Sequence, residues 1–242
     1  MQISDPQNPT KTNHRRVIPS GVVPAILAGM AVSVLTGAFA LHQGQSGILS
    51  GGIFLLAAGG IMRGAIQHYP HSRFGACNAV TMARMALGCA LLASLVTGQV
   101  AGWAVATVAA VSLALDGIDG FLARRSGLMS DFGARFDMEV DAAFALILSL
   151  HALIGDPVGL EVLVLGLMRY LFIGAGFIWP WLTAPLCDSI WRKAICVLQI
   201  ATLIILQLPF LSEGQGIIIA RIASAALLWS FGRDILWLRA RR

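Results

Sequence analysis

Residues 116–142 read DGIDGFLARRSGLMSDFGARFDMEVDA, from Asp116 to Ala142. Six of the chain's 12 acidic residues fall in this one stretch: Asp116, Asp119, Asp131, Asp137, Glu139 and Asp141. A solvated loop is the simplest account of such a cluster, but the spacing argues against it. A helix advances about 100° per residue, so positions i, i+3, i+4, i+7 and i+8 share one face. Counted from Asp116, that face holds Asp119, Gly120, Ala123 and Arg124, while Ile118, Phe121 and Leu122 point elsewhere. Gly127 then offers a place for the helix to break and turn back. On the returning helix Gly133, Asp137 and Asp141 recur at four-residue intervals, again on one face. Glu139, two residues from Asp137, points roughly the opposite way and stays outside the set. Antiparallel packing of the two helices would therefore gather four carboxylates.

The segments on either side of this elbow are apolar. The chain has 242 residues, 57% apolar and only 12% charged, with a mean hydropathy of +0.78. A soluble domain carries about 25% charged and 45–50% apolar residues. So little polar surface cannot cover a water-soluble globule, and disorder is excluded because disordered segments are poor in apolar residues. The 26 glycines suit a polytopic bundle, in which small residues let helix backbones approach closely. The composition specifies an integral membrane protein, all-α.

A crossing helix needs roughly 20 apolar residues. Eight candidate spans follow, near Val22–Leu41, Ile48–Met62, Ala79–Thr97, Val100–Leu115, Asp137–Ile154, Gly159–Trp179, Ala194–Leu211 and Gly216–Trp237. The second is short and rich in glycine. Lys11, Arg15, Arg16, Arg63, Arg73, Arg124, Arg125, Arg135, Arg192, Lys193, Arg233, Arg239, Arg241 and Arg242 all fall in the tails and alternate connections, and the other four connections have no Lys or Arg. Eight spans with both termini cytoplasmic account for this asymmetry. The same rule explains the net charge of +5, so no nucleic-acid partner is expected. The four cysteines (Cys77, Cys89, Cys187, Cys196) show no CxxC pairing and read as small apolar fillers, with neither a disulfide nor a zinc site expected. The polar stretch from Met1 to about Arg16 is too long and mixed for a cleavable signal.

Three arginines fall at membrane depth: Arg84, Arg169 and Arg221. Charge there is expensive, so each is expected to face a polar cavity, with snorkelling to the interface as the alternative for Arg84. Arg169 and Arg221 are candidates for binding an anion. The four gathered carboxylates present the converse problem, since burial and mutual repulsion both disfavour ionisation. Arg124 supplies one compensating charge, which is insufficient. An all-oxygen carboxylate set suits hard divalent cations such as Mg²⁺ or Mn²⁺, and one or two ions would leave positions open for phosphate oxygens. The residues alone thus indicate a metal-dependent phosphate site reached from the cytoplasm, or else a structural or ion-conducting cluster.

The same residues spell D-x2-D-G-x2-A-R-x8-G-x3-D-x3-D, through Asp116, Asp119, Gly120, Ala123, Arg124, Gly133, Asp137 and Asp141. This resembles the signature of the CDP-alcohol phosphatidyltransferase family at every fixed position. Asn78, Thr81 and Arg84 upstream are similar to the N-x2-T-x2-R on the family's preceding helix, so the likeness covers about 65 residues. The resemblance implies an enzyme, a phosphotransferase for substituted phosphate groups in membrane phospholipid biosynthesis. It would move a phosphatidyl group from CDP-diacylglycerol to the hydroxyl of an alcohol and release CMP. It implies two Mg²⁺ or Mn²⁺ ions on Asp116, Asp119, Asp137 and Asp141, with Asp141 also the general base. Asn78, Thr81, Gly120, Ala123, Arg124, Ser130 and Gly133 would bind the CDP-lipid, although tight helix packing explains the two glycines equally well.

The family core has six spans with the motif on the second and third. That implies four regions: a cytoplasmic polar tail (1–19), two additional N-terminal helices (20–63), an interfacial segment (64–76) and the six-helix core (77–242). His68 and His71 read as interfacial residues, not ligands. Family members differ in acceptor while sharing the motif. Basic residues near the aspartates (Arg135, Arg169 and Arg221 for an acceptor phosphate, with Arg192 and Lys193 as anchors) favour glycerol-3-phosphate or another phosphorylated alcohol. The stretch Trp179–Leu186 (WPWLTAPL) reads as an interfacial aromatic belt and helix terminator. The partners are CDP-diacylglycerol, a small alcohol and membrane lipids, with a homodimer possible. The expected location is a bacterial inner membrane, with the site facing the cytoplasm. An intramembrane prenyltransferase is the alternative enzyme, though it would carry two separated aspartate motifs. A divalent-cation transporter is the non-enzymatic alternative, though it would show repeats or a second acidic cluster.

Overall fold

The computed structural model describes residues 18–40, 44–98, 102–155, 158–184 and 189–241. Eight α-helices lie among them: α1 (Val22–Leu35), α2 (Gly44–His68), α3 (Ala76–Val96), α4 (Trp103–Ser126), α5 (Asp131–Gly155), α6 (Val162–Ile178), α7 (Ile190–Ile205) and α8 (Glu213–Arg239). A π-helical stretch, Thr36–Ala40, extends α1, and a 3-10 turn, Pro180–Thr183, follows α6.

Six helices are long and apolar enough to cross a membrane: α1 with its π-helical extension, α2, α3, α4, α5 and α8. The expected eight spans are thus matched in helix number but not in length. Helix α6 has 17 residues and α7 has 16, short of the roughly 20 that a crossing requires. Helix α6 stops where Trp179 leads into Pro180, whose ring cannot continue an α-helix and restrains the residue before it. Conversely, the second span is long. Helix α2 has 25 residues because it runs past Met62 through polar side chains to His68, taking in the start of the 64–76 segment.

Helix α3 is the centre of the bundle. Sixty-one per cent of its apolar window is buried, against 22% for α1, and it packs on α1, α2, α4 and α5. One apolar core surrounds Leu91, Leu148, Leu165, Leu203 and Leu227; a second surrounds Phe54, Met82 and Phe136 where α1 and α2 meet α3 and the start of α5. Close backbone approach depends on small residues, as the glycine content suggested. A Cβ on Gly37 would sit 2.9 Å from the Ser46 carbonyl oxygen of α2. Buried Cys77 and Cys89 fill space on α3. Polar side chains inside the bundle find backbone partners. Gln207 Nε2 donates to the Leu148 and Leu203 carbonyls at 3.0 and 2.9 Å, and His151 Nε2 lies 2.9 Å from the Leu91 carbonyl oxygen. Bonds of this kind between helices hold where apolar contact alone gives no net driving force.

The chain entering α1 is clasped to the chain entering α3. The Ser20 N–H donates to the Ser72 carbonyl at 2.8 Å, and the Phe74 N–H donates to the Ser20 carbonyl at 2.9 Å. Tyr69 donates to the carbonyls of Arg73 (3.0 Å) and Phe74 (3.2 Å). Burial holds this phenol above its ordinary pKa. Its ring also meets Phe74 and Phe132 edge-on, and His71 Nε2 lies 3.3 Å from the Met129 carbonyl oxygen. These contacts tie the start of α3 to the α4–α5 elbow.

Candidate active site

The elbow forms as its sequence requires. Helix α4 ends at Ser126, and Gly127 takes the left-handed conformation (φ +67°) that favours glycine. Ser130 then opens α5 as its cap, its Oγ accepting the Gly133 N–H at 3.0 Å. The geometry brings Asp116 and Asp119 of α4 against Asp137 and Asp141 of α5. Asp116, Asp119 and Asp137 each place a carboxylate oxygen within 4.8 Å of the other two.

The point of convergence is filled by Arg84 of α3. Its Nη1 lies 2.9 Å from Asp116 Oδ1, 3.0 Å from Asp119 Oδ2 and 2.6 Å from Asp137 Oδ1, and its Nη2 is bonded to Asp141 Oδ1. The side chains of Arg84 and Asp119 are 4% and 5% exposed, whereas those of Asp116, Asp137 and Asp141 are 34%, 38% and 45% exposed. Asp119 is therefore the floor of the site and the other three are its rim. Thr81, one turn before Arg84, places its hydroxyl 3.2 Å from Asp119 Oδ2 and 3.1 Å from the Cys77 carbonyl oxygen.

This arrangement revises the charge assignment made from sequence. Arg84 does not snorkel: it faces the polar interior of the bundle, as expected, and what it meets there is the four carboxylates, so that it and not Arg124 alone compensates their charge. The side chains of Ala123 and Arg124 lie outside the described residues. The signal for Arg84 was present in the N-x2-T-x2-R spacing, which puts Thr81 and Arg84 on one face of the helix before the elbow.

Beside the carboxylates, Asn78 Nδ2 donates to the Phe74 carbonyl at 2.6 Å. A Cβ on Gly133 would lie 2.8 Å from Asn78 Oδ1 and 3.3 Å from Ser130 Oγ. Asn78, Ser130 and Gly133 are thus brought together, and glycine at 133 makes room for Asn78. Gly120 is half-buried beside Asp119.

The outlying arginines divide. Arg169 of α6 pairs with Glu139 of α5, which confirms that Glu139 stands apart from the aspartates. Cys196 of α7 is exposed. Arg192 Nη1 lies 3.3 Å from Asp234 Oδ2. Arg135 is exposed, and two residues before Asp137 it occupies another face of α5. Arg221, 69% exposed, pairs through Nε with Glu161 Oε1 at 3.0 Å. Glu161 lies beyond the far end of α5, which is 14 residues, roughly 21 Å along the helix, past Asp141. Arg221 is thus engaged with Glu161 and with none of the four aspartates.

A model of the CDP-alcohol phosphatidyltransferase family matches residues 74–231, from the start of α3 into α8. The chain belongs to the CDP-alcohol phosphatidyltransferase family. No curated protein and no solved structure matches it. Membership makes the chain a membrane transferase of phospholipid synthesis, consistent with its six apolar helices. The matched region contains the whole elbow and the first turns of α3, so the family's shared part and the convergent carboxylates coincide. CDP-alcohol phosphatidyltransferases use divalent metals, and the donors here fit one: hard carboxylate oxygens, close together, from two rigid helices.

Proposed function

We propose that the protein transfers a phosphatidyl group from CDP-diacylglycerol to the hydroxyl of a small phosphorylated alcohol, with glycerol-3-phosphate the best candidate, and releases CMP. The observation that carries this reading is the approach of Asp116, Asp119 and Asp137 to within 4.8 Å of one another, with Asp141 joined to them through Arg84 and the rim side chains partly exposed. These four residues would hold the Mg²⁺ or Mn²⁺. The bound metal would supply positive charge to the diphosphate oxygens, where negative charge develops as CMP departs.

The chain's own residues have distinct tasks. Asp141 is the most exposed of the four carboxylates and lies one turn beyond Asp137, so it can accept the acceptor's hydroxyl proton as the oxygen–phosphorus bond forms. Asn78, Thr81, Ser130 and Gly133 line the adjoining wall, where the cytidine end of the donor would lie; Gly120, Ala123 and Arg124 would flank the diphosphate from α4. Arg169 is the preferred acceptor-phosphate contact because its partner, Glu139, lies on α5 within two residues of both Asp137 and Asp141. Arg135 and Arg221 have weaker geometric support and are left out of that role. The basic residues at the elbow end of the bundle favour a cytoplasmic face in a bacterial inner membrane.

The test is CMP release from labelled CDP-diacylglycerol in detergent with Mg²⁺, across a panel of alcohols. Release is expected with a phosphorylated alcohol, and Asp141→Asn should abolish it while CDP-lipid binding persists. A folded preparation with no Mg²⁺-dependent release for any acceptor would overturn the reading. Equal loss of binding in Asp141→Asn would remove its role as base.

A further inference from the structure

Arg84 is held by carboxylates alone. Its Nη1 meets Asp116, Asp119 and Asp137 at 2.6–3.0 Å and its Nη2 bonds Asp141, while its Nε is buried with no hydrogen-bond partner among the described residues. Buried donors are normally paired, so an orphaned Nε marks a guanidinium positioned by charge and not locked by a fixed network. The oxygens that hold it are the same hard donors a divalent ion needs. Four carboxylates face one guanidinium, so oxygen donors outnumber the positive charge that holds them and can still draw in a cation with Arg84 in place. The rim carboxylates are open by about a third to a half, so an ion can reach them from outside the bundle.

We propose that Arg84 is a tethered counter-cation of this site: it holds the four carboxylates together before a divalent ion arrives and yields carboxylate oxygens as the ion binds. The inference rests on the reading of the cluster as a divalent-ion site. Without a resident cation, four carboxylates at this depth would repel one another and draw in protons or water. The planar guanidinium suits the task, since its two Nη groups span several oxygens that a lysine ammonium could not bridge together. Ion affinity is then set by an exchange, in which the entering ion competes with a charge that can retreat but not leave.

The test compares wild type, Arg84→Gln and Asp119→Asn, purified in detergent and stripped with EDTA. Mn²⁺ affinity is read by electron paramagnetic resonance, and thermal unfolding is followed with and without saturating Mn²⁺. Arg84→Gln should bind Mn²⁺ roughly tenfold or more tightly than wild type, because a competing charge has gone. Stripped, it should unfold well below wild type, and Mn²⁺ should close most of that gap. Affinity no tighter than wild type, or a deficit unchanged by Mn²⁺, overturns the proposal. If stripped Arg84→Gln does not fold, wild type decides: the ¹⁵N signals of the Arg84 guanidinium should shift on stoichiometric Mg²⁺, and unmoved signals overturn it. Folded wild type that binds no Mn²⁺ sinks the metal reading together with this one. Wild-type binding that Asp119→Asn weakens and Arg84→Gln leaves unchanged sinks this one alone.

Discussion

Two arginine–carboxylate groupings mark opposite ends of the bundle. At the elbow, Arg84 is 4% exposed and bonded to carboxylates from two helices; at the other end, Arg221 is 69% exposed and pairs with Glu161 alone. Sequence alone gives both arginines the same description, an arginine within an apolar run. What separates them is convergence. A single exposed pair satisfies itself and contributes little, whereas several acids brought to one buried cation are left with unmet charge that a ligand can satisfy.

That contrast can be broken or sharpened by substitution. The largest effect is expected at the elbow. Asp137→Asn should lower Mg²⁺-dependent CMP release by roughly a thousandfold, since several kcal/mol of charge stabilisation go with one metal ligand. Release within tenfold of wild type would make the cluster structural. Next, Gly133→Ala drives a methyl group towards Asn78, which is already held by its bond to Phe74. Overpacking of this kind costs about 1–3 kcal/mol. Thermal unfolding should fall accordingly, and the KM for CDP-lipid should rise more than kcat falls. Ser130→Ala removes the cap of α5 and should cost about 1 kcal/mol of stability, recovered by Ser130→Asp because aspartate caps as well. If the aspartate variant is no better than alanine, the hydroxyl does something other than cap. The smallest effect belongs to the far end. Arg221→Ala should change stability by less than about 1 kcal/mol and leave CMP release within twofold of wild type. A large loss of activity there would restore Arg221 to the acceptor site.

The aspartates were legible because their information is local. Asp116 with Asp119 and Asp137 with Asp141 each sit one turn apart, and Gly127 marks the reversal between them. The cation at their centre was not, because Arg84 lies 32 positions before Asp116 and a helix periodicity cannot say which neighbour a side chain will face. Its meeting with four aspartates is a property of how α3 packs between α4 and α5. Helix lengths misled in the same way. Hydropathy ended the second span at Met62, but backbone hydrogen bonding carries α2 through charged and polar residues to His68; the end of α6, by contrast, was legible in the step from Trp179 to Pro180. Gly133 shows the reverse case: glycine was visible, and only packing reveals that Asn78 is the reason for it.

Phe74 is the first residue of the family match, yet its backbone faces both ways. Its N–H reaches back to Ser20, and its carbonyl receives Asn78 and Tyr69. A protein trimmed to begin there would lose the Ser20 bond and the apolar side chains of α1 and α2 that cover Phe74, and so slacken the turn that presents Asn78. The stretch shared across the family and the hydrogen-bonded unit around the start of α3 therefore have different borders. The two leading helices act as a splint on α3, and a shortened chain that keeps this clasp must begin upstream of Ser20.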